Sequence, residues 1–127
     1  MYLRTHPREV APHPPTEQSG AFCPRFQFAI ELIGRRWVGA ILRVLVNGPA
    51  RFNELLGAVP GLSDRLLTER LRELEKLGIL NRTVSPERPV RVSYELTASG
   101  RSLEDIIRAL GNWAESWVEV PAHNESA

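Results

Sequence analysis

At 127 residues, 43% hydrophobic and 24% charged, the chain has the composition of one ordinary soluble globular domain with a single modest core, too small for an added catalytic domain. It has no run of eighteen or so apolar residues and no basic-then-apolar leader, so neither a membrane span nor secretion is expected, and its single cysteine, Cys23, fits a reducing cytoplasm. The net charge of +1 hides an uneven spread: residues 35–91 carry eleven basic against six acidic groups, a net of +5, and residues 92–127 carry two against six, a net of −4, which suggests one face meant for a polyanion.

Residues 1–20 hold four of the ten prolines and almost no large apolar side chains, and are expected to form a disordered arm. A helix is predicted next, with Cys23 as N-cap and Pro24 at its first position, where a missing N–H costs nothing. Phe26, Ala29, Ile30 and Ile33 share one of its faces and Phe28 and Leu32 the other, so it has two surfaces to bury. Gly34 ends it, and "RWVGAILRVLV" (about Arg36–Val46) reads as the central core helix, stopped by Asn47-Gly48-Pro49. A short helix at about Asn53–Ala58 points Phe52, Leu55 and Leu56 inward, and Pro60-Gly61 turns the chain. Ser63 then caps a helix running to Leu77, closed by Gly78. The period next changes to alternation: Ile79–Ser85 and Val90–Leu96 read as the two strands of a hairpin whose tip, "PERP", is stiffened by Pro86 and Pro89. Thr97 caps a last helix of about twenty residues, striped by Leu103, Ile106, Ile107, Leu110, Trp113, Ala114, Trp117 and Val118, and residues 121–127 are left as a flexible tail.

On the Ser63–Leu77 helix Leu66, Leu67, Leu71, Leu74 and Leu77 fall in one arc, and the opposite arc is centred on Arg65, Glu69, Arg72 and Lys76. Arg70 falls beside the leucines and is expected to pair with an acidic neighbour. A short helix, a tight turn and this helix make a helix-turn-helix, whose second helix enters the major groove by its N-terminal half, placing Ser63, Arg65, Thr68, Glu69 and Arg72 nearest the bases. Arginine can donate two hydrogen bonds to guanine, glutamate can accept from cytosine, and threonine can meet a base or a phosphate. Arg82, Arg88 and Arg91 on the hairpin would add phosphate contacts that position without reading sequence. A charged helix face alone is ordinary solvated surface. A helix-turn-helix followed at once by a basic hairpin tips the reading towards double-stranded DNA.

The order of these motifs resembles the HxlR-type winged-helix transcriptional regulators of bacteria. The matching residues are "CP" (Cys23-Pro24), "IGRRW" ending at Trp37, "GPARFNEL" (Gly48–Leu55), "LTERLRELEKLGIL" (Leu67–Leu80) and "RVSYELTASG" (Arg91–Gly100). They span nearly everything from Cys23 to about Trp117. Arg36, Ser93 and Ser99 stand where lysine, glutamate and leucine are common. The resemblance implies a mainly α (α+β) winged helix-turn-helix domain over residues 21–120, with N- and C-terminal dimerisation helices. It implies a homodimeric DNA-binding protein, which as a dimer is expected on an inverted-repeat operator in the cytoplasm; no cofactor and no metal are expected. Phe28, Leu32, Leu103, Ile106, Leu110, Trp113 and Trp117 are the candidate subunit interface. Some relatives respond to electrophiles or oxidants through a cysteine at the position of Cys23, and a thiol at a helix N-terminus with Arg25 nearby suits that task. The opposing reading is a small, unreactive, partly buried hydrophobe.

Other functions fit less well. His6, His13 and His123 all lie in the tails, so the folded region lacks the usual general base and the commonest metal ligand, and no Gly-rich phosphate loop is present. A winged-helix protein-docking module is the stronger rival. A second input, a small-molecule pocket between subunits formed by aromatic residues such as Phe26, Trp37 and Trp113, would make a ligand-responsive regulator without thiol sensing.

Overall fold

The computed structural model describes residues 2–3 and 21–120. The expected flexible tail (121–127) and residues 4–20 of the expected arm lie outside the described residues. The elements in chain order are β1 (Tyr2–Leu3), α1 (Pro24–Ile33), α2 (Val38–Leu45), β2 (Ala50–Arg51), α3 (Phe52–Ala58), α4 (Asp64–Lys76), β3 (Leu80–Val84), β4 (Val92–Leu96), α5 (Ala98–Arg101), α6 (Glu104–Trp117) and β5 (Val118–Glu119). They fall into two units, one of residues 23–107 and one made of residues 1–22 with 108–127.

In the first unit the core is aliphatic. Val38, Ile41, Leu42 and Leu45 of α2 are almost wholly buried with Leu55 of α3, Leu67, Leu71 and Leu74 of α4, and Leu80 and Leu96 of the sheet. The spacing of the α2 residues makes it the central helix, as its apolar character predicts. It begins two residues later than expected. Trp37, the residue before it, has φ +73°, a left-handed conformation that breaks the helical run at Arg35-Arg36. Cys23 caps α1 as expected, its Sγ accepting from the Phe26 N–H at 3.5 Å with Pro24 next. No residue of α1 is fully buried, and Phe26, Phe28 and Ile30 are exposed.

Helix α4 follows its sequence pattern closely. Ser63 Oγ accepts from the Leu66 N–H at 3.1 Å, and beyond Leu77 the chain turns through Gly78 at φ +76°. There the Ile79 N–H donates to the Leu74 carbonyl (2.9 Å) and the Gly78 N–H to that of Glu75 (3.0 Å), the paired bonds that close a helix through a left-handed glycine. One expected member of the buried leucine arc is displaced. Leu77 is 47% exposed, because as C-cap it lies past the last turn that faces the core.

The hairpin pairs Leu80 with Leu96, Arg82 with Tyr94 and Val84 with Val92. A third strand, absent from the sequence expectation, flanks it: Ala50 pairs with Tyr94 and Arg51 with Ser93, giving the order β2-β4-β3. Directly opposed residues share a face, so Ala50, Tyr94 and Arg82 point one way and Arg51, Ser93 and Thr83 the other. The single long helix expected after Thr97 is two: α5 ends at Arg101, and the bonding tightens to i→i−3 at Leu103, whose N–H meets the Gly100 carbonyl at 3.0 Å before α6 begins. In the second unit Tyr2–Leu3, within the expected arm, pair antiparallel with Val118–Glu119.

Candidate nucleic-acid interface

Helices α3 and α4 and the turn between them form a helix-turn-helix anchored by apolar side chains of the turn itself. Val59 and Leu62 are both buried, which fixes the angle at which α4 leaves it. With Leu67, Leu71 and Leu74 turned into the core, the helix period leaves Arg65, Glu69 and Arg72 exposed on the other side. The Arg65 side chain is 90% exposed and lies 3.6 Å from Glu69 Oε1 one turn on, an ion pair that water and salt screen and a ligand can displace at little cost. Thr68 donates its hydroxyl proton to the Asp64 carbonyl at 2.8 Å, leaving its methyl and oxygen lone pairs for an incoming group. Ser63 uses its oxygen as the cap. Arg70 is held back from solvent: its Nη1 donates to Glu73 Oε1 at 2.9 Å, the acidic pairing its place beside the leucines predicts.

The three hairpin arginines lie in two places. Arg82 faces α4, because it shares a sheet face with Tyr94 and Ala50. It lines, with Arg72, Thr68, Phe52 and Tyr94, an open cleft of about 420 Å³ between the helix-turn-helix and the sheet. Arg88 and Arg91 are exposed in the loop beyond, where the Ser85 N–H donates to the Arg91 carbonyl at 2.7 Å. None of Arg72, Arg82, Arg88 and Arg91 is in an ion pair with another described residue. The arrangement brings Arg72 of the helix and Arg82 of the sheet to one cleft, with Arg65 exposed on the helix and Arg88 and Arg91 exposed in the hairpin loop. Of the residues lining the cleft, Tyr94 was not singled out from the sequence, and Phe52 was expected only as an inward residue of the short helix. The signal for Tyr94 was present, since it alternates with Val92 and Leu96 on one strand face.

The other candidate residues separate by burial. Leu32 and Leu103 are half-buried and pack against the core of their own chain. Phe28, Ile106, Leu110 and Trp113 are each about half exposed or more, and Trp117 is half-buried. Cys23 is half-buried at its cap. A second open cavity, of about 460 Å³, lies between α1 and α4, lined by Phe28, Leu32, Arg35, Glu73, Lys76 and Leu77 among others. Among the described residues no group of three or more His, Cys, Asp or Glu could hold a metal, and no helix is long and apolar enough to cross a membrane.

A helix-turn-helix backed by a three-stranded sheet with a projecting basic hairpin defines a winged helix-turn-helix protein. The chain belongs to the HxlR-like helix-turn-helix family, which it matches over residues 32–122. It is 45% identical over 97 residues to an uncharacterized HTH-type transcriptional regulator, YvaP of Bacillus subtilis (76% of this chain, 90% of that one). It is 42% identical over 97 residues to the HTH-type transcriptional regulator YodB of the same organism (76% and 87%). Solved structures agree. The reduced form of YodB superposes with a TM-score of 0.70 (42% identity, 77% of this chain and 96% of that one), and its quinone-bound form with 0.65 (38%, 74% and 98%). The redox regulator HypR in its oxidized form gives 0.72 (40%, 77% and 100%). The protein is a winged-helix transcriptional regulator and not an enzyme.

Proposed function

We propose that this regulator binds double-stranded DNA as a homodimer, laying the N-terminal half of α4 in the major groove of each half of an inverted-repeat operator. The observation that carries the reading is α4 itself: three buried leucines fix its orientation while Arg65, Glu69 and Arg72 face outward. In this arrangement Ser63, Arg65, Thr68, Glu69 and Arg72 approach base edges, and Arg82, Arg88 and Arg91 approach phosphates. The second copy covers the exposed apolar side chains of α1 and α6, with Phe28, Ile106, Leu110, Trp113 and Trp117 at the contact and Leu32 and Leu103 supporting it from the core side. The protein then works in the cytoplasm, associated with the nucleoid when bound to DNA.

The regulator senses oxidants or electrophiles through Cys23. Support comes from the half-buried thiol at the N-cap of α1 and from the likeness to YodB and HypR, whose solved structures include reduced, quinone-bound and oxidized forms. A second reading, a ligand-responsive regulator without thiol sensing, is favoured by the cavity between α1 and α4, where apolar walls meet Arg35 and Lys76.

Footprinting on the promoter beside its own gene, with and without diamide, tests the proposal. The expected result is a protected inverted repeat with half-sites about one helical turn, or a multiple of it, apart. A protein that stays monomeric and ignores duplex DNA at low salt would leave a protein-docking module as the better account.

A further inference from the structure

Arg70 has no task in the proposed DNA contact, yet its side chain is only 14% exposed. Both of its arms are engaged: Nη1 donates to Glu73 Oε1 at 2.9 Å, and Nε donates to the backbone carbonyl of Arg36 at 3.0 Å. The other oxygen of Glu73 accepts from Arg35 Nη1. One carboxylate thus ties an arginine of its own helix to an arginine of the turn between α1 and α2.

That turn is itself in a costly conformation. Trp37 has φ +73°, which residues with a Cβ adopt only when their surroundings hold them there. The Arg70 bond to the Arg36 carbonyl fixes the peptide that leads into Trp37. The Arg36 guanidinium lies 5.1 Å from the centre of the Trp37 ring, and the ring reaches the helix-turn-helix at Gly61, where an added Cβ would come within 3.4 Å of it. The α1–α2 turn therefore grips α4 at two places, just ahead of its N-cap and at Arg70–Glu73, roughly 13 Å apart along the helix axis. One attachment would let a helix pivot, and two fix its tilt.

We propose that Glu73 is a positioning residue: by bridging Arg70 and Arg35 it sets the tilt of α4, so that DNA recognition depends on a carboxylate that touches no DNA. This rests on the reading of α4 as the DNA-contacting helix. A tilt error misplaces Arg65 and Arg72 against base edges but hardly alters the attraction of the whole basic surface for phosphates, which is long-ranged and tolerant of geometry. The bridge should therefore govern specific binding and leave non-specific binding alone.

The test uses Glu73→Gln, which keeps an acceptor for Arg70 and so avoids stranding a nearly buried cation, and Arg35→Ala, which removes only the outer arm of the bridge. The probes are a duplex selected from random sequence by the wild-type full chain and a random-sequence duplex of equal length, at a temperature where circular dichroism shows every variant folded. Each variant should bind the selected duplex about tenfold more weakly while its affinity for the random duplex and its salt dependence stay as in wild type. The double variant should bind no worse than Glu73→Gln alone, because the two groups act as one pair. Unchanged affinity for the selected duplex in both folded variants, an equal loss on both duplexes, or additive losses in the double variant overturns the proposal. A wild-type chain that selects no duplex overturns the DNA reading itself, an outcome distinct from the first three.

Discussion

Replacing Gly100 with alanine should unfold this domain more readily than deleting a buried methyl group from its core. A Cβ at that position would lie 2.2 Å from the Ile79 carbonyl oxygen, 3.2 Å from the Ile79 carbonyl carbon and 3.0 Å from Leu96 Cδ2, so backbone must move by about 1 Å to reach ordinary contact distance. The Ile79 carbonyl has little freedom to move, since it accepts from the Thr97 N–H at 3.0 Å, and the Thr97 hydroxyl bonds the adjacent Gly78 carbonyl. Overpacking of this kind costs about 1–3 kcal/mol, and the hydrogen bond displaced with it costs about 1 kcal/mol more. The better helix propensity of alanine returns up to about 1 kcal/mol. The net loss is about 1–4 kcal/mol, which lowers the melting temperature of a domain this size by roughly 5–20 °C. Urea titration and thermal melting followed by circular dichroism measure it directly. Gly57→Ala is the control: it lies in α3 with nothing within 4 Å of the added Cβ, and should stabilise by about 0.5–1 kcal/mol. A Gly100→Ala protein within about 0.5 kcal/mol of wild type would refute the reasoning, because the end of α4 and the base of the hairpin would then not be locked through Ile79.

Arg72→Ala should cost about 1–3 kcal/mol of affinity for a selected operator and blunt discrimination between operator and random DNA, whereas Arg88→Ala should weaken both equally and lower the salt slope by about one, all measurable by fluorescence anisotropy across a salt series. Diamide or a quinone should change operator affinity of the wild type and leave Cys23→Ser unchanged; an equal response in both would remove Cys23 from sensing. Trp113→Asp should convert a dimer to a monomer in sedimentation analysis, since an ion introduced into a closed apolar contact is left without a partner, and a dimer that survives it places the contact elsewhere.

The parts of the fold legible in the sequence are those where a local rule and the tertiary demand coincide. Helix α4 is the clearest case: Ser63 caps it, Leu67, Leu71 and Leu74 keep the helical period, and Gly78 supplies the left-handed exit, so each local preference agrees with where the helix packs. Strand β2 was not legible because two residues, Ala50-Arg51, cannot display a period, and only their pairing with Ser93 and Tyr94 makes them a strand. The late start of α2 depends on the backbone of Trp37, which an apolar pattern cannot report. The division after Arg101 was hidden for the opposite reason, since the apolar stripe continues past Leu103 and no proline interrupts it. In the site, the arginines of α4 were legible from the helical wheel. The turn of Arg82 towards α4 was not, since the sheet face it occupies follows from the register with Tyr94, set by a partner strand.

The same contrast indicates which element is the most open to control. Helix α4 is held by three buried leucines and closed at both ends by capping bonds, and from outside the core it is tied to the rest of its unit through the Arg35–Glu73–Arg70 bridge. Helix α1 is held more weakly: no residue is fully buried, only Leu32 and Ile33 near its C-terminal end pack on the core, and its N-terminus is capped by a thiol at 3.5 Å, a weaker acceptor than the hydroxyl that caps α4. Converting that thiol to an adduct or a disulfide changes the cap of the least anchored long helix in its unit. The C-terminal end of the helix runs through Gly34 directly into Arg35, whose guanidinium bonds Glu73 of α4. A change at the Cys23 end thus has a short covalent and ionic path to α4 through Arg35 and Glu73. In a protein built this way, the chemistry of one weakly held helix can alter the presentation of a firmly built one without unfolding either.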